Sequence, residues 1–209
     1  MSRLLPATLL LLLTVVPVLA HASDPSVTRA PPPGHGPNRA PELDSPSRDA
    51  QTGALLTLLR APHPQVDGFH LRRIGPDVNT LLVEFATAPG PDMQIRLRAL
   101  AWLEHFPSHQ SRQVLLETLR ASDSAVPTRR VCLRALAYAF GSEMLPVVRD
   151  HLQDRNLYIR EAAAYALGDI DDRRVRDILT DHMGRERELT VRDAALASLR
   201  RVAEREARR

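Results

Sequence analysis

The chain of 209 residues contains no lysine, one cysteine and few aromatic residues, which make up 4% of it. A lone Cys132 can form neither an internal disulfide nor a multi-cysteine metal site. Its setting in "RRVCLRAL" is that of a buried helix position, where cysteine packs as a small apolar residue. With so few rings the core has to be aliphatic and Ala-rich, which suits small helices packed closely. All 28 basic residues are arginine, set against 25 acids, for a formal net charge of +3. That is the residue choice of a GC-rich genome, and the charge is too small to demand a nucleic-acid partner.

Catalytic signatures are also missing. There is no Gly-rich phosphate loop and no Gly-x-Ser-x-Gly elbow. Of the eight histidines, His105 and His109 form the only i,i+4 pair, and Pro107 lies between them, so no metal spacing arises. Asp150-His151 and Asp181-His182 stand 31 residues apart and read as exposed helix ends, where a charged histidine favours the C-terminus. No catalytic residue, metal ligand or cofactor is therefore expected.

What is present begins with "MSRLLPATLLLLLTVVPVLAHAS". A basic start at Arg3, an apolar run from Leu4 to Leu19 and the small-x-small sequence Ala20-His21-Ala22 predict a signal peptide over residues 1–22. The mature chain is expected to be periplasmic or secreted, with no stable membrane anchor after cleavage. Residues 23–50 hold seven prolines and few apolar side chains. Such a segment buries too little surface to offset its ordering entropy, so a disordered linker is expected. Residues 51–75 read as an N-terminal cap, a short helix in "TGALLTLLR" followed by a loop in "APHPQVDG".

From residue 76 to 209 the chain repeats itself. Arg96, Arg129, Arg160 and Arg192 recur at intervals of 33, 31 and 32. Each is preceded by Ile95, Thr128, Ile159 or Val191 and followed three residues on by Ala99, Cys132, Ala163 or Ala195. Seven residues on stands Leu103, Leu136, Leu167 or Leu199, so the three positions share one helical face. A second register lies upstream in the apolar pairs Leu81-Leu82, Val114-Leu115, Val147-Val148 and Ile178-Leu179. Two helices recurring together with a period near 32 residues predict an all-α fold, an α-solenoid of about four helix pairs with an N-terminal cap. The expected pairs are 76–88 with 92–105, 110–120 with 126–140, 142–153 with 156–169, and 172–184 with 188–207, with Ser142 capping the fifth of these helices.

The segment Asp154–Gly168 has the form D-x-x-x-x-I-R-x-x-A-x-x-A-L-G, with Asp123 and Glu186 at the acidic position six residues before Arg129 and Arg192. It resembles the short bacterial HEAT repeat of the type found in phycobilisome lyase-like proteins, and the resemblance spans about 76 to 202. The first copy departs from it, with Asp92 four residues before Arg96 and Gly90 at the acidic position. The resemblance implies a structural arginine lying between neighbouring units and bonded to the acid before it, so Arg160–Asp154 and Arg129–Asp123 are the expected pairs. It also implies that the second helices line a concave face. Arg130, Arg134, Tyr138, Glu161, Tyr165, Asp193 and Arg200 are the residues expected there, a mixture suited to a protein surface rather than a phosphate groove. The reading is a monomeric, non-enzymatic scaffold that binds a protein partner. The alternative is a lyase-like enzyme or enzyme subunit acting on a modified protein.

Overall fold

The computed structural model describes residues 45–62, 66–90 and 92–209. The expected signal peptide and the linker as far as residue 44 lie outside the described residues. The remainder of that linker is partly helical. Helix α1 (Arg48–Arg60) begins inside it, because the Ser47 side chain accepts from the Ala50 amide at 3.2 Å and so starts a helix that the proline count concealed. The cap segment contains a second helix, α2 (Gly68–Arg72), opened by Asp67 in the same way and starting at the last residue of the expected loop.

The helices that follow are α3 (Val78–Thr87), α4 (Met93–Trp102), α5 (His109–Arg120), α6 (Val126–Phe140), α7 (Leu145–Asp150), α8 (Leu157–Leu167), α9 (Arg174–Arg185) and α10 (Leu189–Glu206). No strand occurs among the described residues. Their starts follow local chemistry. Asp92, Ser108 and Asn156 each accept a backbone amide at the head of α4, α5 and α8. Ser142 does not cap α7. It lies in a 3-10 turn, Gly141–Met144, that Gly141 enters with φ +52°, and Pro146 sits in the first turn that follows.

Packing explains the two registers. Helix α3 lies against α4, α5 against α6, α7 against α8, and α9 against α10, while α4, α6, α8 and α10 pack side by side in one row. Ala99, Cys132, Ala163 and Ala195 are all fully buried, because each small side chain sits where neighbouring helices meet most closely. Burial pushes the Cys132 thiol up to about 12, so it stays protonated and unreactive. In each upstream pair the second member, Leu82, Leu115, Val148 or Leu179, is the fully buried one. Leu199 and Met183, on the last two helices, are only half-buried. Gly75 has φ +151°, and a Cβ there would strike the Gln51 side chain. That side chain is buried and ties α1 to the start of α3 by accepting from the Asp77 amide at 2.9 Å.

Two of the repeated arginines, Arg129 and Arg160, tie one unit to the next. Arg129 Nη2 donates to Asp154 Oδ2 at 2.6 Å, and Arg160 donates to both carboxylate oxygens of Glu186 at 2.8 and 3.2 Å. The expected pairs within one unit are thus corrected. The acid six residues before an arginine belongs to the arginine of the preceding unit. The reason lies in the turn. Asp154 Oδ1 accepts the Asn156 amide, and Glu186 Oε1 accepts the amides of Arg187 and Glu188. Each carboxylate is therefore held at the mouth of its own second helix, facing back along the stack. Arg160 keeps one link to Asp154, through its main-chain oxygen at 3.0 Å. The ends of the series differ. Arg96 donates to the Ala88 carbonyl, and Arg192 is exposed.

Other arginines close helix ends. Arg98 donates to the carbonyls of Leu59 and Ala61 at the C-terminus of α1, and Arg201 and Arg205 reach Tyr165, Gly168 and Ile170 at the end of α8. A guanidinium carries five donors in a fixed fork, so one side chain satisfies several orphan carbonyls while its charge complements the helix dipole. This gives the lysine-free composition a structural use.

Candidate functional site

The row of second helices leaves a groove of about 570 Å³ across α6, α8 and α10. Pro127, Arg130, Val131 and Arg134 of α6 form one wall, with Ala162, Tyr165 and Ala166 of α8 on the floor. Asp169 and Arg201 close the far side. Small residues on α8 keep the floor low, as close packing of this helix between two neighbours requires. Gly168, at the end of α8, is buried because α10 crosses it. A Cβ at Gly168 would lie 2.7 Å from Ser198 Cβ.

Charges in the groove are partly paired. Arg130 meets Glu161 at 3.1 Å, and Arg201 approaches Asp169 at 3.7 Å while lying 5.8 Å from the Tyr165 ring centroid. Arg134 is exposed and forms no ion pair among the described residues. Its charge bears on Glu104, a half-buried carboxyl that burial pushes above its ordinary range. Arg134 and His105 oppose that rise, and Asp169 adds to it. Glu104, Arg134 and Asp169 therefore share one electrostatic neighbourhood.

Of the residues expected to face a partner, Arg130, Arg134 and Tyr165 line the groove and Glu161 stands beside it as the partner of Arg130. Tyr138 is exposed on α6 and makes an edge contact with His105, ring centroids 6.3 Å apart. Asp193 and Arg200 lie on α10 outside the lining. Asp169 and Arg201 were missed. The register contains them, since His105, Tyr138, Asp169 and Arg201 all stand nine residues after a repeated arginine.

The histidine pair behaves differently from its expected exposure. His182 is buried against Glu186, with Nε2 to Oε2 at 3.5 Å, and burial lowers its pKa, helped by Arg160 and Arg185 and opposed by Glu186. His151 is half-buried and bonded to the Val147 carbonyl at 2.8 Å. His182 lies on α9, and His151 opens the 3-10 turn that follows α7. Among the described residues no group of three potential ligands is placed to hold a metal ion.

Residues 121–200 match the family model of HEAT repeats. Those residues carry HEAT repeats. The match covers the helices from α6 to most of α10, and the all-helical stack is that of an α-solenoid. No curated protein matches the chain. HEAT repeats commonly mediate protein–protein contact, and the groove lies within the matched span except for Arg201, the next residue.

Proposed function

We propose that this HEAT-repeat protein is an exported, non-enzymatic scaffold that binds another protein in the groove between α6 and α10. The repeats are read as the short bacterial type, in four helix pairs over residues 76–209, with α1 and α2 as the cap. The observation that carries the binding reading is the groove itself. Arg134, exposed and without an ion pair among the described residues, stands in the wall above a floor of Ala162, Ala166 and the half-exposed Tyr165. Arginine and tyrosine are the side chains that most often anchor interfaces, and both offer large contact area. A segment with a carboxylate for Arg134 and an apolar side chain for the floor would fit.

The test uses crosslinking capture from the cell-envelope fraction, with the wild type beside an Arg134→Glu/Tyr165→Ala double variant. Both residues are exposed, so the variant keeps its fold, checked by circular dichroism. One protein captured by the wild type and lost by the variant supports the groove. Equal capture by both removes the groove as the binding site.

Export rests on the apolar run from Leu4 to Leu19 and on Ala20-His21-Ala22. Mass spectrometry of the native protein is expected to find Ser23 as the first residue. An intact Met1 with all protein in the cytoplasm would refute it.

A further inference from the structure

In α6 and α8 the side that faces the next unit is covered, whereas in α10 it is open, and in α4 the head residue Met93 is 47% exposed. Leu100, Leu133 and Ala164, four residues after Arg96, Arg129 and Arg160, are fully buried. Their counterpart Leu196 is 40% exposed. Eight residues after Arg129 and Arg160, Ala137 and Gly168 are buried under the next helix, whereas Arg200 is exposed. At the head of the helices Val126 and Leu157 are half-buried, while Leu189 is 71% exposed. Leu189, Asp193, Leu196, Arg200 and Ala203 are all exposed, and their alternating spacing of four and three residues places them on one stripe of α10.

The stripe is complementary to itself. Asp193 and Arg200 form no ion pair among the described residues and stand seven residues apart with Leu196 between them. We propose that α10 is a homodimer interface, in which two copies of the chain lay their α10 helices antiparallel about a twofold axis beside Leu196. Each Asp193 then faces the other copy's Arg200, the two Leu196 side chains meet at the centre, and each Leu189 covers the other's Ala203. A twofold axis makes both ion pairs from one residue pair, as a self-complementary interface requires. The opposite charges oppose a parallel arrangement, which would set Asp193 against Asp193 and Arg200 against Arg200. The same face is covered in the two preceding units, so the second copy extends the packing that the fold already uses. This replaces the monomer expected from the sequence, and it stands apart from the groove reading.

Sedimentation of the full chain over a wide concentration range tests it. The wild type is expected to shift from one to two chain masses as concentration rises. Leu196→Glu is expected to sediment as a monomer throughout. Asp193→Arg and Arg200→Asp are each expected to weaken association about tenfold or more, because each breaks both charge pairs and sets like charges in their place. The double variant Asp193→Arg/Arg200→Asp is expected to recover the wild-type midpoint, because the pairs are re-formed with their signs exchanged. All three positions are exposed, and unchanged thermal midpoints confirm that the fold is kept. A wild type that remains monomeric overturns the proposal. So does a dimer indifferent to these substitutions, or a double variant no better than its parents.

Discussion

Replacing Arg160 by alanine is expected to destabilise the protein by about 3 kcal/mol, since a carboxylate left alone in a mostly buried site is strongly unfavourable. The side chains of Arg160 and Glu186 are 17% and 6% exposed. Removing the guanidinium strips Glu186 of two charge-assisted hydrogen bonds and also frees the carbonyls of Asp154 and Arg155. For a domain of this size the thermal midpoint should fall by roughly 6–12 °C. The same substitution at Arg192 should change stability by less than about 0.5 kcal/mol, because that arginine is exposed. Thermal unfolding of the two variants side by side is the measurement. Equal losses at both positions would mean that the link between units has no energetic weight and that the arginines matter only through their helix positions.

Acid should unfold the protein in two stages. His182 is buried and its pKa lies below the ordinary 6.5. The folded state thus favours neutral imidazole, so stability is full above 6.5 and falls as pH drops towards the folded value. The second stage belongs to carboxylates whose pKa is depressed. Arg160 holds Glu186 down from 4.5 to about 2, and Arg174 holds Asp172 to about 2. Asp154 is lowered as well, by the Asn156 amide and Arg129 against the cost of burial. A depressed carboxylate stabilises above its unfolded pKa and loses that contribution as pH falls through the folded one, so this stage runs from about 4.5 to about 2. For Glu186 the shift corresponds to roughly 3 kcal/mol, the same interaction that Arg160→Ala removes and not an addition to it. Denaturant unfolding across this pH range checks both stages. His182→Leu should flatten the upper one, and Glu186→Gln should shrink the lower one while reducing stability at neutral pH. A His182→Leu profile that kept the upper stage would assign it to another group.

The double register was legible because each helix repeats the same contacts with its neighbours. Ile159, Ala163 and Leu167 had to share a face, and all three are buried. Helix α6 begins and ends where expected, at Val126 and Phe140, because the Pro127 turn and Gly141 mark its limits in the local sequence. The expected groove residues were legible to the same extent, since Arg134 and Tyr165 each stand five residues after a repeated arginine. Arg201 stands at a repeated position too, nine residues after Arg192, but its place in the groove depends on how α10 crosses Gly168. The α1 start escaped for a local reason. One capping serine outweighs the proline-rich stretch before it.

Composition and spacing alone determined that the chain is helical, that the helices recur in pairs with a period near 32 residues, and which face of each is apolar. Periodicity of 3.6 residues acts within one helix, so it can be read along the chain. Tertiary structure decided which acid each arginine meets, which histidine is buried, and which side of α10 is left open. Those outcomes depend on the distance and angle between helices about 32 residues apart, and no local pattern encodes them. The Arg160–Glu186 pair shows the division. Both residues occupy positions that the repeat marks as special, yet only the stacking of one unit on the next brings them within 2.8 Å.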